Sequence, residues 1–373
     1  MASKPQVGFA PVFTITPAIA RALMRIEAAR QAVLTLPVTP RVLARLRETA
    51  RLFTTHYSTM IEGNRLTQEQ VAQVIGAGQH FPGRERDQDE VKGYYAALDE
   101  VERLATRGER LTEAAVSKLH ALVMSGGRTR VKPTPYRDGQ NVIRDSRSNE
   151  IVYLPPEASE VSPLMAQLIS WLNVQTGPNE ELPVPVKAAI AHYQYATIHP
   201  YFDGNGRTAR LLTSLILHLG GYGLKGLYAL EEYYARNLGE YYAALTIGPS
   251  HNYYLGRAEA DITGWIAYFI EGMADSFERV REQTSREAKA GTADLSSLLR
   301  NLDARQRKVL ALFEKSSELT AREIGGLFGY RPRTASEHCR RWTEQGFLEV
   351  ADAAKKSRRY RLASLYEHMI AKQ

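Results

Sequence analysis

At 373 residues, with 44% hydrophobic and 24% charged side chains, the chain is long enough for two or three packed domains and apolar enough to build them. No apolar run approaches the roughly 18 residues of a membrane span, and the opening Met-Ala-Ser-Lys-Pro-Gln has no apolar signal core, so a soluble cytoplasmic protein with no membrane partner is expected. The single cysteine, Cys339, excludes an internal disulfide and a cysteine-built zinc site, and the net charge of +7 is unevenly placed: from Ser296 onward 16 Lys and Arg face 9 Asp and Glu, whereas the first 295 residues hold 32 of each.

In chain order, Phe13 to Tyr57 carries apolar residues at helical spacing, including Ile19, Leu23, Ile26, Ala29 and Val33, and predicts a helical layer packed on a core. The charge cluster Arg84 to Asp89 predicts a solvated helix start that leads into Val91, Tyr94 and Leu98. Tyr136-Arg-Asp-Gly-Gln-Asn-Val-Ile143 and Ile151-Val-Tyr-Leu-Pro-Pro156 are short apolar runs around a polar turn, Asp145 to Asn149, which is the pattern of a hairpin. A helix is expected over Val186 to Ile198 behind Pro185, with Pro200 stopping it. Another follows along Leu211 to Leu219, where Leu211, Leu212, Leu215, Ile216 and Leu219 trace one face.

Between these two helices, His199-Pro-Tyr-Phe-Asp-Gly-Asn-Gly-Arg-Thr-Ala-Arg210 packs a base, a carboxylate, a glycine-rich turn and two arginines into twelve residues. Gly204, Asn205 and Gly206 can turn successive N–H groups into one concavity at a helix N-terminus, which is an anion site. Arg207 falls in the first turn, where it can pair with phosphate oxygens; Asp203 is an oxygen ligand suited to magnesium; and His199 can take a proton near neutral pH. The order reads as nucleotide chemistry. Structural alternatives stand beside it: a packed His199, an Asp203 that caps the helix, an Arg210 in an ion pair. His120, His192 and His218 are expected as packed or solvated side chains, and Trp171, Trp265 and Trp342 as core residues.

The polar stretch Ser285 to Asp294 marks a linker, set at 286–297. Beyond it, Leu298 to Lys315 predicts an amphipathic helix and Leu319 to Gly329 a second helix beginning at a threonine cap. A turn follows over Tyr330 to Arg333, then a third helix over Thr334 to Gly346. Phe347-Leu-Glu-Val, a basic turn Lys355-Lys-Ser-Arg-Arg359 and Tyr360-Arg-Leu362 complete the tail. No fixed-period repeat or low-complexity tract is present.

The segment 199–210 meets the signature of the Fic family, His-Pro-Phe-x-Asp/Glu-Gly-Asn-Gly-Arg-x-x-Arg, with Tyr201 in place of phenylalanine. Ser58-Thr-Met-Ile-Glu62-Gly63-Asn64 resembles that family's inhibitory motif, in the subclass whose inhibitory helix is N-terminal. Residues 136–156 are similar to its flap, and Tyr241-Tyr242, after Tyr233 and Tyr234, to the aromatic pair of its adenine pocket, although the spacing beyond that pair departs. The resemblance spans residues 10 to 285, and the tail resembles a winged helix.

Together these imply a mainly α protein: an N-terminal helical region (1–110) with the inhibitory motif, a Fic-type core with a short β-hairpin flap (111–285), and a winged helix-turn-helix domain (298–373). The implied activity is protein adenylylation, with ATP as substrate and Mg²⁺ as cofactor. His199 would be the base and Asp203 the metal ligand. Asp203, Gly204, Asn205, Gly206, Arg207, Arg210, Tyr241 and Tyr242 would hold nucleotide; Ser58, Glu62 and Gly63 would inhibit, Glu62 by pairing with Arg210; and Ile151, Val152, Tyr153 and Leu154 would hold a target protein, or another part of the same protein, by strand addition. In the tail, Arg333, Thr334, Arg340, Arg341, Lys355, Lys356 and Arg358 would meet DNA. Open alternatives are transfer of another nucleotide or a phosphate, removal of AMP, and a nucleotide-sensing transcription regulator; the tail could instead pack on the core or on a second subunit of a homodimer.

Overall fold

The computed structural model describes residues 8–36, 40–144, 150–174, 182–248, 251–291, 302–313, 316–352 and 358–367. Helices dominate, and their ends follow local chemistry. The first two, α1 (Pro17–Thr35) and α2 (Pro40–Ile61), begin at prolines, whose fixed φ suits a first turn. The predicted stripe of α1 is buried at Ile19, Ala22, Ile26, Ala29 and Val33. A capping box starts α3 (Gln68–Gly76): Thr67 Oγ1 accepts the Gln70 N–H at 3.3 Å, and the Gln70 side chain accepts the Thr67 N–H at 3.0 Å. α4 (Glu85–Arg107) ends at Gly108 in the left-handed region, and Thr112 caps α5 (Glu113–Val123).

Two short strands, β1 (Ile143–Arg144) and β2 (Ile151–Tyr153), pair antiparallel as Ile143 with Tyr153 and Arg144 with Ile151. The expected turn between them lies outside the described residues. After α6 (Ala158–Asn173) come α7 (Val184–Ile198) and α8 (Asn205–Leu219), which pack on each other; α8 also packs on α4 and α5. α7 is buried on nearly every side, His192, Gln194 and Thr197 included, as befits a helix at the centre of a domain. α9 (Leu230–Arg236), α10 (Leu238–Leu245) and α11 (Thr263–Gly291) complete this part.

The chain divides into two compact units, 8–31 with 47–280 and 32–46 with 281–367. In the second, α12 (Ala304–Phe313), β3 (Leu319–Thr320), α13 (Ala321–Gly326), α14 (Pro332–Glu344), β4 (Leu348–Asp352), β5 (Arg359–Leu362) and α15 (Ser364–Glu367) surround their own core of Val309, Phe313, Ile324, Cys339, Trp342 and Phe347. The sheet is antiparallel, ordered β3-β5-β4. α12 starts later than the expected Leu298 because the Asp303 carboxylate accepts the N–H groups of Arg305 and Gln306 at 2.7 and 2.8 Å, an N-cap. α14 starts two residues early because Pro332 fits a first turn. α11 continues to Gly291, through the first six residues expected as linker; 292–301 lie outside the described residues. No helix among the described residues is long and apolar enough to cross a membrane.

Candidate active site

The site begins where α7 stops. His199 cannot continue the helix because Pro200 follows, and it adopts a left-handed conformation (φ 51°, ψ 61°), uncommon for a residue with a side chain. The chain then turns through residues 200–204 and re-enters helix at α8, with Gly204 at φ 75°.

Every carbonyl of this turn is held by a donor. His199 O accepts Arg137 Nε at 3.0 Å and Pro200 O the Arg137 N–H at 2.9 Å; Tyr201 O accepts Asn205 Nδ2 at 2.7 Å. Phe202 O accepts Asn141 Nδ2 at 3.4 Å, Asp203 O meets His120 Nε2 at 2.8 Å, and Gly204 O accepts the Thr208 hydroxyl at 2.8 Å. Two residues before His199, the Tyr153 hydroxyl of β2 donates to Thr197 O at 2.7 Å. With the carbonyls so fixed, the first-turn amides of Asn205, Gly206 and Arg207, which have no carbonyl partner within the helix, form an anion site.

Around that site the two arginines are buried. Burial pushes the His199 imidazole down to about 4, a bond to the Ala196 backbone opposing it, so the ring is neutral at physiological pH and able to accept a proton. Arg207 is 2% exposed, with Nη1 3.8 Å from Glu90, Nη2 3.4 Å from Asp203, and Nε without a partner among the described residues. A buried guanidinium with long ion pairs and an orphan donor is suited to an anion. Asp203 accepts the Gly204 N–H at 2.6 Å through Oδ1, yet its side chain is 59% exposed.

Arg210, 1% exposed, gives Nε to Ser58 Oγ, Nη2 to Ser58 O and Nη2 to Glu62 Oε1, each at 2.8 Å. Burial disfavours its charge, but Glu62, Tyr241 and Tyr94 outweigh that and hold its pKa above the ordinary value. Glu62 is delivered by the end of α2: Asn64 N–H bonds Thr59 O and Gly63 N–H bonds Met60 O, a Schellman cap that needs Gly63 at φ 91°. Asn64 is anchored in turn, Nδ2 lying 3.0 Å from Glu90 and 2.8 Å from Asp87 O. A Cβ on Gly206 would overlap Glu62 Oε1, so the carboxylate lies directly against the first turn of α8.

Two expected nucleotide contacts look different in place. Asn205 spends its side chain on the loop, with Oδ1 3.0 Å from Tyr201 N and Nδ2 on Tyr201 O, so only its amide faces the anion site. Tyr241 is a core residue, its hydroxyl 3.0 Å from His192 Nε2, whereas Tyr242 is 47% exposed and donates to Ile61 O at 3.3 Å. His192 is packed as expected and bridges to Thr213 as well.

On the flap, Ile151 and Val152 are exposed, Tyr153 is buried, and Leu154 is bound by His251 and Tyr253, its N–H to His251 O and its carbonyl to the Tyr253 N–H. In the second unit, Arg333 pairs with Glu337 and Arg340 with Glu344, and Arg341 lies 2.9 Å from His338 Nδ1. Thr334 and Arg358 are exposed; Lys355 and Lys356 lie outside the described residues. Arg137 and Asn141 were visible in the flap run without a role, and His120, expected as a packed or solvated side chain, is buried and holds Asp203 O.

A left-handed histidine, an amide-lined helix start and two buried arginines lie together in this helical domain, an arrangement that can receive an anion beside a base. Residues 110–217 match the model of the Fic/DOC family. Among curated proteins, the protein adenylyltransferase fic-1 of Caenorhabditis briggsae is 30% identical over 230 residues, 59% of this chain and 42% of the relative. The protein adenylyltransferase Fic of Aedes aegypti is 30% identical over 201 residues, 53% and 38%. The chain thus spans about two fifths of the length of these relatives. A Fic family protein from Desulfovibrio desulfuricans G20 is similar in structure, with a TM-score of 0.60, 25% identity, and coverage of 95% of this chain and 99% of that one.

Proposed function

We propose that the chain transfers AMP from ATP to a hydroxyl side chain of a protein. The observation that carries this reading is that the neutral His199, the first-turn amides of α8, and Arg207, whose Nε has no partner among the described residues, all belong to one tight turn into a helix start. In the reaction, His199 takes the hydroxyl proton on a ring nitrogen while the hydroxyl oxygen bonds to the α-phosphorus. The bond from that phosphorus to the bridging oxygen breaks, and diphosphate leaves. The amides and Arg207 neutralise charge gathering on the phosphate oxygens. The names of the curated relatives support the same chemistry.

Asp203 fits a magnesium ion in the way such ions are usually held, by one exposed carboxylate together with substrate phosphates; among the described residues no cluster of three ligating side chains exists that would bind a metal by itself. Magnesium there would supply charge neutralisation. Glu62 is read as an inhibitor: its carboxylate holds Arg210 and lies against the first turn of α8, in the space and charge that a terminal phosphate needs. Intact-mass spectrometry after incubation with ATP and magnesium tests the activity. An AMP adduct that disappears in His199→Ala is expected; an adduct of unchanged yield in that variant would overturn the assignment of the base.

A second reading concerns the tail. Three helices and a β3-β5-β4 sheet, with the basic helix α14 following a short turn, favour a winged helix that docks α14 on duplex DNA. Gel retardation of genomic fragments across a salt series tests it, the double variant Arg340→Ala with Arg341→Ala weakening binding. No retardation at low salt would refute it.

A further inference from the structure

We infer that Arg137 is a positioning residue that clamps the neck of the flap to the histidine, so that the acceptor and the base are held as one piece; the inference rests on the transferase reading above. Arg137 is 3% exposed, and among the described residues no carboxylate pairs with it. A buried guanidinium without a counter-charge is costly, and burial lowers its pKa accordingly. Its donors go instead to backbone carbonyls. Nε takes His199 O at 3.0 Å, Nη1 takes Gly139 O at 3.0 Å, Nη2 takes Pro156 O, and its own N–H takes Pro200 O at 2.9 Å.

Those four acceptors are not a random set. Gly139 and Pro156 are the two points where the chain enters and leaves the hairpin, and His199 with Pro200 is the strained turn that aims the imidazole. The planar fork of arginine spans three of them, His199, Gly139 and Pro156, at fixed angles, and the backbone N–H of the same residue takes the fourth; a lysine has the charge and three donors, but they radiate from a single nitrogen and lack the spread of the fork. Tyr153 repeats the arrangement two residues before His199, where its hydroxyl on β2 reaches Thr197 O, and Arg257 lies over its ring at 5.3 Å. None of these bonds of Arg137 reaches the first turn of α8, Arg207 or Arg210. Its loss should therefore disturb the geometry of transfer and leave the hold on nucleotide intact, a split that general unfolding would not produce. Misplacing reacting groups by about 1 Å costs on the order of 100-fold in rate.

The test compares Arg137→Gln and Arg137→Lys in a Glu62→Gly background. Self-modification with ATP is followed under single-turnover conditions, ATP affinity by calorimetry, and backbone hydrogen exchange over residues 137–144, 151–156 and 195–204. For Arg137→Gln the expected result is a rate lower by about 10- to 100-fold, an ATP affinity within about twofold, and faster exchange in the flap and histidine segments together, with Arg137→Lys intermediate in each. A rate equal to the parent, or a rate lost only in step with ATP affinity, would overturn the inference. If the Glu62→Gly parent itself transfers nothing, the transferase reading fails, and the exchange experiment still judges the clamp: segments that do not loosen together refute it. A melting curve on Arg137→Lys guards against a variant that does not fold.

Discussion

Glu62→Gly removes the carboxylate that pairs with Arg210 at 2.8 Å and leaves the end of α2 intact, since the cap bonds of Gly63 and Asn64 run between backbone groups. At an effective dielectric constant of about 20, unit charges roughly 4 Å apart interact by about 4 kcal/mol. Glu62 keeps 30% of its side chain in water, and screening there brings the net pair to about 2 kcal/mol. If ATP must displace this pair to bind productively, its removal should raise self-modification at subsaturating ATP by roughly 30-fold. The same change leaves the guanidinium of Arg210 buried without its partner, so the melting temperature without ligand should fall by about 4–8 °C. ATP with magnesium should recover most of that loss. Intact-mass time courses and thermal melts with and without ATP measure both. Arg210→Ala should not reproduce the activation, because it deletes the phosphate partner too. A Glu62→Gly protein with wild-type rate and wild-type melting response to ATP would refute the reasoning.

Asp203→Ala should flatten the magnesium dependence of transfer, and an unchanged metal titration would remove Asp203 from the ligand role. The His199 imidazole is pushed down to about 4 in the folded protein by burial, against about 6.5 unfolded. Between those values the unfolded chain binds the extra proton, so stability falls as pH drops from 6.5 towards 4; His199→Ala should lessen the acid-side fall in melting temperature, measured by scanning calorimetry. His120→Phe keeps the stack on Tyr201 but strips Asp203 O of its donor. It should cost about 1–3 kcal/mol and slow transfer, and full activity with unchanged melting would count against a role for His120 in holding the loop.

The α7-loop-α8 unit was legible because its signals are local: Pro200 ends one helix, Gly204 permits the turn, and the apolar run from Leu211 fixes a face. Segment 58–64 was singled out by its resemblance to a family motif and not by spacing; in the structure Gly63 is the left-handed cap that presents Glu62 to Arg210. What the sequence hid is long-range. His120 meets Asp203 O across 83 positions and Arg137 meets His199 O across 62, contacts that no spacing rule announces. Tyr241 and Tyr242 read as a pair, but neighbours on a helix point to different faces, so one is buried at 3% and the other lies 47% exposed. Asp303 as an N-cap was readable in principle and was overridden by the apolar residues before it.

The central claim is nucleotidyl transfer from ATP, and the most direct measurement follows two labels. The Glu62→Gly protein is incubated with magnesium and ATP labelled at the α-phosphate in one arm and at the γ-phosphate in the other, beside the same protein carrying His199→Ala. The α label is expected to become bound to protein and the γ label to leave as diphosphate, with His199→Ala abolishing incorporation. Retention of the γ label without the α label would contradict the claim and identify phosphate as the transferred group.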